Sequence, residues 1–390
     1  MTEVDDNVGL TINSLPLGQD RSRAWAMLRE AGDVVDTGRE FLLASAEACE
    51  FAAKRSDVFS SSRAFDILGS PVPLVPIAVD PPDHSRFRRI LDPFFGPKKM
   101  SEREPELRKQ VGELIDTIKR KGKCDLVAEL AVPFPSQVFL TLFGLPMEDR
   151  DRLVHWKDAI IGLTDLANFE AGPEVLALAL ELYTYLSEHI AQRRGDPGGA
   201  DLLSELLRLP EGEGLTDAEI LGLCFLFVLA GLDTVTSALG FAFAHLASDA
   251  ELRRQICDDP TVIPTFIEEQ LRVEVPVPFV PRVTNEDVEL AGVRVPKDSN
   301  VLVVYGCANR DPRRYQNPDT VNLDKQQPHF AFGRGPHRCL GSHLARLELR
   351  LVLEEWHKRI PEYRLADGVH PMPPWPSGTL GLEALPLIVG

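Results

Sequence analysis

The sequence predicts a mainly α chain with small β-sheets, an α+β arrangement. Three observations lead to it. Apolar residues recur every third or fourth position through most of the 390 residues, while 34–43 reads as short strands around a turn and 282–304 recurs near period two. A third feature is an unbroken helical stretch from the capping box Thr216-Asp217-Ala218-Glu219 to about Leu246. At ~1.5 Å per residue such a helix is about 45 Å long, enough to cross a molecule of this size.

The elements follow in chain order. A first helix is expected over 21–31, followed by two short strands at Val34-Val35 and Phe41-Leu42-Leu43, separated by a turn at Thr37-Gly38. Asp80-Pro-Pro-Asp-His-Ser-Arg-Phe-Arg88 opens a helix with His84 and Arg88 four residues apart on one face. Helical spacing continues over 101–121, 145–160, 173–194 and 248–258, punctuated by proline and glycine. Between Arg282 and Val304 the pattern changes to period two, with Val288, Leu290, Val293, Val295, Val301 and Val303 around Gly292 and Pro296. No repeat and no Pro/Gly/Ser linker divides the chain, so 1–390 is expected as one unit, with residues 1–20 as a loose N-terminal arm.

Composition limits the function. A hydrophobic fraction of 44% supplies a core large enough to bury a cofactor, and a net charge of -17 argues against nucleic acid as a partner. The acidic start, Met-Thr-Glu-Val-Asp-Asp, argues against a secretory signal. The most apolar run, 220–232, ends at Asp233 and falls short of the ~20 residues that span a bilayer. The expectation is a cytoplasmic protein without a membrane partner, and a monomer. Cys49, Cys124, Cys224, Cys257, Cys307 and Cys339 form no C-x-x-C pair, which fits reduced thiols.

Phe332-Gly-Arg-Gly-Pro-His-Arg-Cys-Leu-Gly341 sets one cysteine in a glycine-rich loop that runs into a helix carrying Leu340, Leu344, Leu347, Leu351 and Trp356. A thiol at a helix mouth is drawn toward its thiolate by the dipole and free amides there, and can then bind a soft metal centre. Gly333 and Gly335 allow a tight turn, and Gly341 leaves room for a flat ligand. Two other readings remain at this point. Cys339 could be an inert buried thiol, or part of a zinc site with His337 and His343, although paired ligand spacings are missing. In the long helix, Ala230-Gly231-Leu232-Asp233-Thr234 places an acid and an alcohol inside an apolar run. Taken alone, Thr234 could bond back to a carbonyl one turn earlier while Asp233 pairs with a base.

The loop resembles the haem-binding loop of the cytochrome P-450 monooxygenases, Phe-Gly-x-Gly-x-His-x-Cys-x-Gly, at every specified position. Ala230 to Thr234 is similar to that family's oxygen-binding kink, and Glu269-Gln-Leu-Arg272 to its Glu-x-x-Arg brace. The resemblance runs from about residue 20 to the end. Pro133-Phe-Pro, Gly231-Leu-Asp-Thr-Val235, Gly341-Ser-His-Leu-Ala-Arg346 and Ala384-Leu-Pro-Leu387 look like the bacterial camphor hydroxylase branch. There are departures. Lys325 stands where many members have arginine, and the loop 69–78 has no tyrosine to hold a ketone, which speaks against camphor itself.

The resemblance implies a cytochrome P-450 fold with a long central helix crossing over haem b, and insertion of one oxygen atom from O2 into a C–H bond. Cys339 becomes the axial metal ligand, and a thiolate in that place favours O–O cleavage. His84, Arg88, Arg282 and His337 would hold the haem propionates, with Phe332, Gly341 and Ala230 against the ring. Asp233 and Thr234 would relay protons as the catalytic pair, while Glu269 and Arg272 brace the core. The substrate pocket would be formed by Leu74, Val75, Ile77, Leu226, Leu229, Val277, Phe279, Val280, Thr379 and Leu380, which disfavours free fatty acids and amino acids unless the loop near Asn168 and Phe169 supplies a cation. That set suits a small hydrophobic, terpenoid-like substrate.

No nucleotide fingerprint follows a strand, so electrons are expected from NAD(P)H through a ferredoxin reductase and an iron–sulfur ferredoxin. The ferredoxin would dock on a patch of Arg86, Arg89, Lys98, Lys99, Arg334, Arg338 and Arg346. Rival readings are a peroxide-dependent oxygenase on the same fold and a non-catalytic haem sensor or carrier.

Overall fold

The computed structural model describes residues 10–390 except 66–69, 71, 163, 166–169, 172, 197 and 211. Its helices are α1 (Arg21–Ala31), α2 (Ala46–Lys54), α3 (Ser62–Phe65), α4 (Asp83–Phe95), α5 (Pro97–Lys121), α6 (Pro133–Phe143) and α7 (Arg150–Gly162). There follow α8 (Pro173–Gly195), α9 (Leu202–Leu207), α10 (Asp217–Ser248), α11 (Ala250–Asp258), α12 (Ile263–Val273), α13 (Tyr305–Ala308) and α14 (Ser342–Arg359). The strands are β1 (Val34–Asp36), β2 (Phe41–Leu43), β3 (Phe59–Ser60), β4 (Lys123–Asp125), β5 (Thr164–Asp165) and β6 (Glu170–Ala171). The later ones are β7 (Val280–Thr284), β8 (Val288–Leu290), β9 (Val293–Val295), β10 (Asn300–Val303), β11 (Tyr363–Leu365) and β12 (Pro386–Val389).

One sheet has the order β1-β2-β10-β7-β3, so the two β regions expected from the sequence meet in it: Val301, Leu302 and Val303 pair in parallel with Phe41, Leu42 and Leu43. A second sheet, β11-β12-β4, ties the chain's end to its middle, and β5-β6 and β8-β9 are separate hairpins. Local chemistry sets several boundaries. Pro97 at the first turn starts α5 earlier than the periodicity indicates. Asp249 ends α10 and caps α11 by accepting from the Glu251 and Leu252 amides, so the helix expected from residue 248 begins at Ala250. Residues 10–20, expected as a loose arm, are instead packed: Leu15 and Leu17 are 1% and 0% exposed. The remaining expected arm, 1–9, lies outside the described residues.

α10 organises the interior. Thr216 accepts from the Glu219 amide and Glu219 accepts from the Thr216 amide, so the capping box is formed. The helix is long and apolar enough by composition to cross a bilayer, more so than the run 220–232 indicates, but half of its most apolar stretch is buried within the fold. It packs against α6, α8, α12 and α14. An apolar helix of this kind is a core helix rather than an amphipathic surface element.

Candidate functional site

A cavity of about 300 Å³ lies between α10 and the loop that leads into α14. The loop is held open by its own backbone. Gly333 and Gly335 adopt φ +67° and +68°, and a Cβ at Gly335 would stand 2.1 Å from the Ala53 carbonyl oxygen. The Cys339 amide donates to the Phe332 carbonyl at 2.8 Å, closing the loop on itself. Cys339 is accessible toward the cavity while protein surrounds it elsewhere, and burial pushes its thiol pKa up. The Gly341 amide and the positive charges of Arg88, Arg338 and Arg346 oppose that rise. A Cβ at Gly341 would meet nothing within 4 Å, so that side of the loop is open to a flat group. The other cysteines stand apart: Cys49, Cys124, Cys224 and Cys307 are buried, and none lines the cavity.

A basic cluster gathers at the same cavity. His84, Arg88, Arg282 and His337 all line it, from α4, β7 and the cysteine loop. The His84 and His337 rings lie 4.4 Å apart, and burial, with His337 and Arg88 nearby, pushes His84 down to about 4. His84 Nε2 is buried with no partner. His337 Nε2 is 3.7 Å from Asp80 Oδ1, too long for a hydrogen bond, and is likewise unsatisfied. Arg282 is 6% exposed, and its guanidinium donates to the Pro281 carbonyl at 2.6 Å. Two buried ring nitrogens without partners, beside the guanidinium groups of Arg88 and Arg282, fit an acidic ligand that could accept from them. Haem, with one soft axial position and two propionates, matches both Cys339 and this cluster.

The distal residues divide. Ala230 and Thr234 line the cavity, and the Thr234 hydroxyl donates to the Ala230 carbonyl at 3.1 Å within an unbroken α10. The helical assignment therefore continues through the expected kink. Asp233 does not line the cavity. It pairs with Lys157 of α7, which is 4% exposed and also pairs with Asp158. Burial would lower the Lys157 pKa, but the two carboxylates outweigh it and raise it. Both structural roles open to the acid and the alcohol are thus realised.

Of the expected pocket residues, Ile77, Leu226, Val277 and Val280 line the cavity. Leu74, Val75, Leu229, Phe279, Thr379 and Leu380 do not. Leu74 and Val75 are core residues, Phe279 turns toward Trp375 with ring centroids 6.5 Å apart, and the Leu380 amide donates to the Pro276 carbonyl with its side chain 1% exposed. The Thr379 amide is directed at Ser377 Oγ, 3.4 Å away. Phe65, Phe139, Leu142 and Phe227 line the cavity instead, together with Glu348. The aromatics carry no local signal of this role, whereas Glu348 shows itself as an acid on the apolar face of α14. Asn168 and Phe169 lie outside the described residues.

Glu269 and Arg272 pair at 2.8 Å with both side chains 0% exposed, and Arg272 also donates to the carbonyls of Asn309, Pro318 and Thr320. The basic patch is smaller than its composition suggests. Arg86, Lys99 and Arg346 pair with Glu219, Glu205 and Glu268. Arg89, Lys98 and Arg338 are exposed, and Arg334 lies over the Phe330 ring.

Comparison with known proteins agrees with this geometry. Residues 181–356 match the family model described as Cytochrome P-450. The chain is 36% identical over 322 residues to a probable cytochrome P-450 127A1 of Sinorhizobium fredii, covering 81% of this chain and 76% of that one. It is 33% identical over 288 residues to a biotin biosynthesis cytochrome P-450 of Bacillus subtilis, with 73% of each covered. Among solved structures, CYP109E1 from Bacillus megaterium in complex with testosterone superposes with a TM-score of 0.85 at 29% identity, covering 93% of this chain and 96% of that one. A P-450 BioI in complex with acyl carrier protein ligated to hexadec-9Z-enoic acid gives 0.86 at 27% identity, over 96% and 100%.

Proposed function

This chain belongs to the cytochrome P-450 family of haem- and O2-dependent monooxygenases, and from that premise we propose that it hydroxylates a compact, neutral, largely hydrocarbon substrate of terpenoid type. The observation that carries the proposal is the cavity's lining. Apart from the basic cluster, Arg338, Cys339, Tyr305 and Glu348, Thr234 is the only polar side chain on it among the described residues. A charged head group near α10 would find no partner there and would cost several kcal/mol to bury. The relative solved with testosterone is consistent with a neutral, mostly hydrocarbon guest.

Each residue has a part in this reading. Cys339 would ligate the haem iron through its thiolate, and His84, Arg88, Arg282 and His337 would hold the propionates. Bound haem supplies O2 activation. The chain places the substrate carbon, excludes water and moves protons. Leu226, Val277, Val280 and Ile77 shape the substrate side through packing. The Thr234 hydroxyl, back-bonded to Ala230, keeps its lone pairs available to a donor in the cavity. Asp233 contributes a proton only when Lys157 releases it. Electrons arrive from NAD(P)H by way of a ferredoxin reductase and a ferredoxin, whose acidic surface suits the exposed Arg89, Lys98 and Arg338. The protein works as one catalytic domain in the cytoplasm.

The test is a titration of the haem-loaded protein with neutral terpenoids and with long-chain carboxylic acids, following the ligand-induced spectral shift. Neutral terpenoids are expected to bind roughly tenfold or more tightly. Tighter binding and faster oxidation of the acids would overturn the substrate class. The position of the reduced carbon monoxide band checks thiolate ligation separately.

A further inference from the structure

Arg346 is expected from the sequence in a patch that meets a ferredoxin, but the structure commits it elsewhere. Its Nε and Nη2 donate to the two oxygens of Glu268 at 2.6 and 2.7 Å, and its Nη1 donates to the Ser342 carbonyl at 3.3 Å. A two-point grip of this kind fixes the plane of the guanidinium as well as its distance. Glu268 is held in turn from its other side. His329 Nδ1 accepts from the Ala331 amide at 3.1 Å, so the ring's proton sits on Nε2, which donates to Glu268 Oε2 at 3.1 Å. Both Glu268 and His329 are buried.

This clamp lays the guanidinium on Phe332, with Arg346 Cζ 4.2 Å from the ring centroid, closer than any other guanidinium and ring among the described residues. Phe332 lines the large cavity and Arg346 does not, so the ring joins the cation to the site. The Phe332 carbonyl also accepts from the Cys339 amide at 2.8 Å. Arg346 is among the positive charges that oppose the rise of the Cys339 thiol pKa. Arg338, another of them, is exposed and screened by solvent, whereas the Arg346 side chain is 29% exposed and bonded in place. A cation held in position beside the interior acts on a neighbouring charge more strongly than one free in water.

Resting on the reading of Cys339 as the haem ligand, we infer that the clamp of Glu268 and Arg346 tunes the electron affinity of the iron, the cation on Phe332 making the ferric centre easier to reduce. One electron, which reaches the enzyme from NAD(P)H through the ferredoxin, converts ferric to ferrous iron. Arg346 forms no bond to the iron and moves no proton. A fixed positive charge behind the loop stabilises the added negative charge and draws electron density back on the thiolate, so losing it disfavours the ferrous form. Arg346 is thus a positioning residue that acts through Phe332, and Glu268 sets where it stands. Docking would instead need the guanidinium free to meet an acidic partner.

The experiment compares haem-loaded parent, Arg346→Gln, Arg346→Lys and Arg350→Gln, each titrated with dithionite and mediator dyes and with no partner protein present. Arg346→Gln should shift the equilibrium roughly tenfold toward ferric iron, about 59 mV for one electron. Its iron–sulfur stretching band in resonance Raman spectra should move to higher frequency, because the thiolate then donates more strongly. Arg346→Lys keeps the charge without the flat face and should fall between parent and Arg346→Gln in both readouts. Arg350, one turn on, pairs with Glu104 and Glu354 and does not line the cavity. Its replacement also breaks ion pairs on α14, so it should leave the potential and the band unmoved even where melting falls. An unmoved potential in Arg346→Gln would overturn the inference, as would an equal shift in Arg350→Gln or a lysine variant no different from the glutamine one. If Arg346→Gln does not take up haem, Arg346→Lys decides, and parent values in it overturn the inference. A parent without a thiolate-type carbon monoxide band would instead refute the reading of Cys339 itself.

Discussion

The two walls of the cavity are built by opposite means. The wall of the cysteine loop, α12 and α14 is fixed by directional bonds between buried charges. Arg272 and Glu269 are fully enclosed, Arg346 and His329 both donate to Glu268, and the Phe330 amide donates to Asn309 Oδ1 at 2.6 Å. The wall of α6, α10 and the segment around Ile77 is apolar, with Phe227 packed on Phe95 and Phe143 at 5.1 and 5.6 Å between ring centroids. Directional bonds fix one geometry, which a metal ligand needs. Apolar packing tolerates several shapes, which suits a guest recognised by form.

The comparison breaks most visibly at Arg272. Arg272→Ala leaves the Glu269 carboxylate buried without a cation and three carbonyls without their donor. A loss of ~3–5 kcal/mol is expected, with haem uptake failing alongside it. On the apolar wall, half-buried Leu226→Ala should cost less than half as much and chiefly change which ligands shift the spectrum. Thermal melting and haem content of both variants are the measurements. Equal losses would mean the two walls are not held differently.

Thr234→Ala sharpens the same contrast within α10. The hydroxyl bonds only to its own helix, so its removal should leave melting within about 1 kcal/mol of the parent. Product per NAD(P)H should drop on the order of tenfold, with peroxide released in its place, because the alcohol no longer steadies protons in the cavity. Unchanged coupling would assign Thr234 a purely structural part.

The two walls also differ in how far the sequence reveals them. The cysteine wall is legible because its information is local: glycines, cysteine and helix lie within a single stretch, and Glu269 and Arg272 are three residues apart. The capping box likewise marks the start of α10 on its own. The fate of Asp233 depends on Lys157, 76 positions away, and no periodicity connects them. The apolar wall fails in a different manner. Val277 and Val280 face the cavity but Phe279 between them faces Trp375, because the chain passes into β7 there and neighbouring side chains diverge. Leu74 and Leu380 have the right chemistry for a pocket and were expected in it, but apolar residues near a cavity serve equally as core. Glu348 is masked by the leucines that form the helical pattern around it, although a lone acid on a buried helical face is itself a signal.

The smallest expected effect tests the charge network by acid. Burial would raise the Glu268 pKa, but the hydrogen bonds from His329 and Arg346 outweigh it and bring it to about 2, from 4.5. A depressed folded pKa contributes stability that is complete above the ordinary value and is lost as pH falls from about 4.5 toward 2. Glu268→Gln cannot supply that contribution, so the parent should melt a few degrees higher at pH 7 and the gap should close through this window. The loss stays modest because Arg346 is partly exposed, can be rehydrated, and still rests over the Phe332 ring, 4.2 Å from its centroid. The measurement is the melting temperature of both proteins between pH 7 and 3 at constant ionic strength. A gap that persists undiminished at pH 3 would show that Glu268 acts through packing rather than through its charge, and the contrast between the two walls would then rest on Arg272 and Glu269 alone.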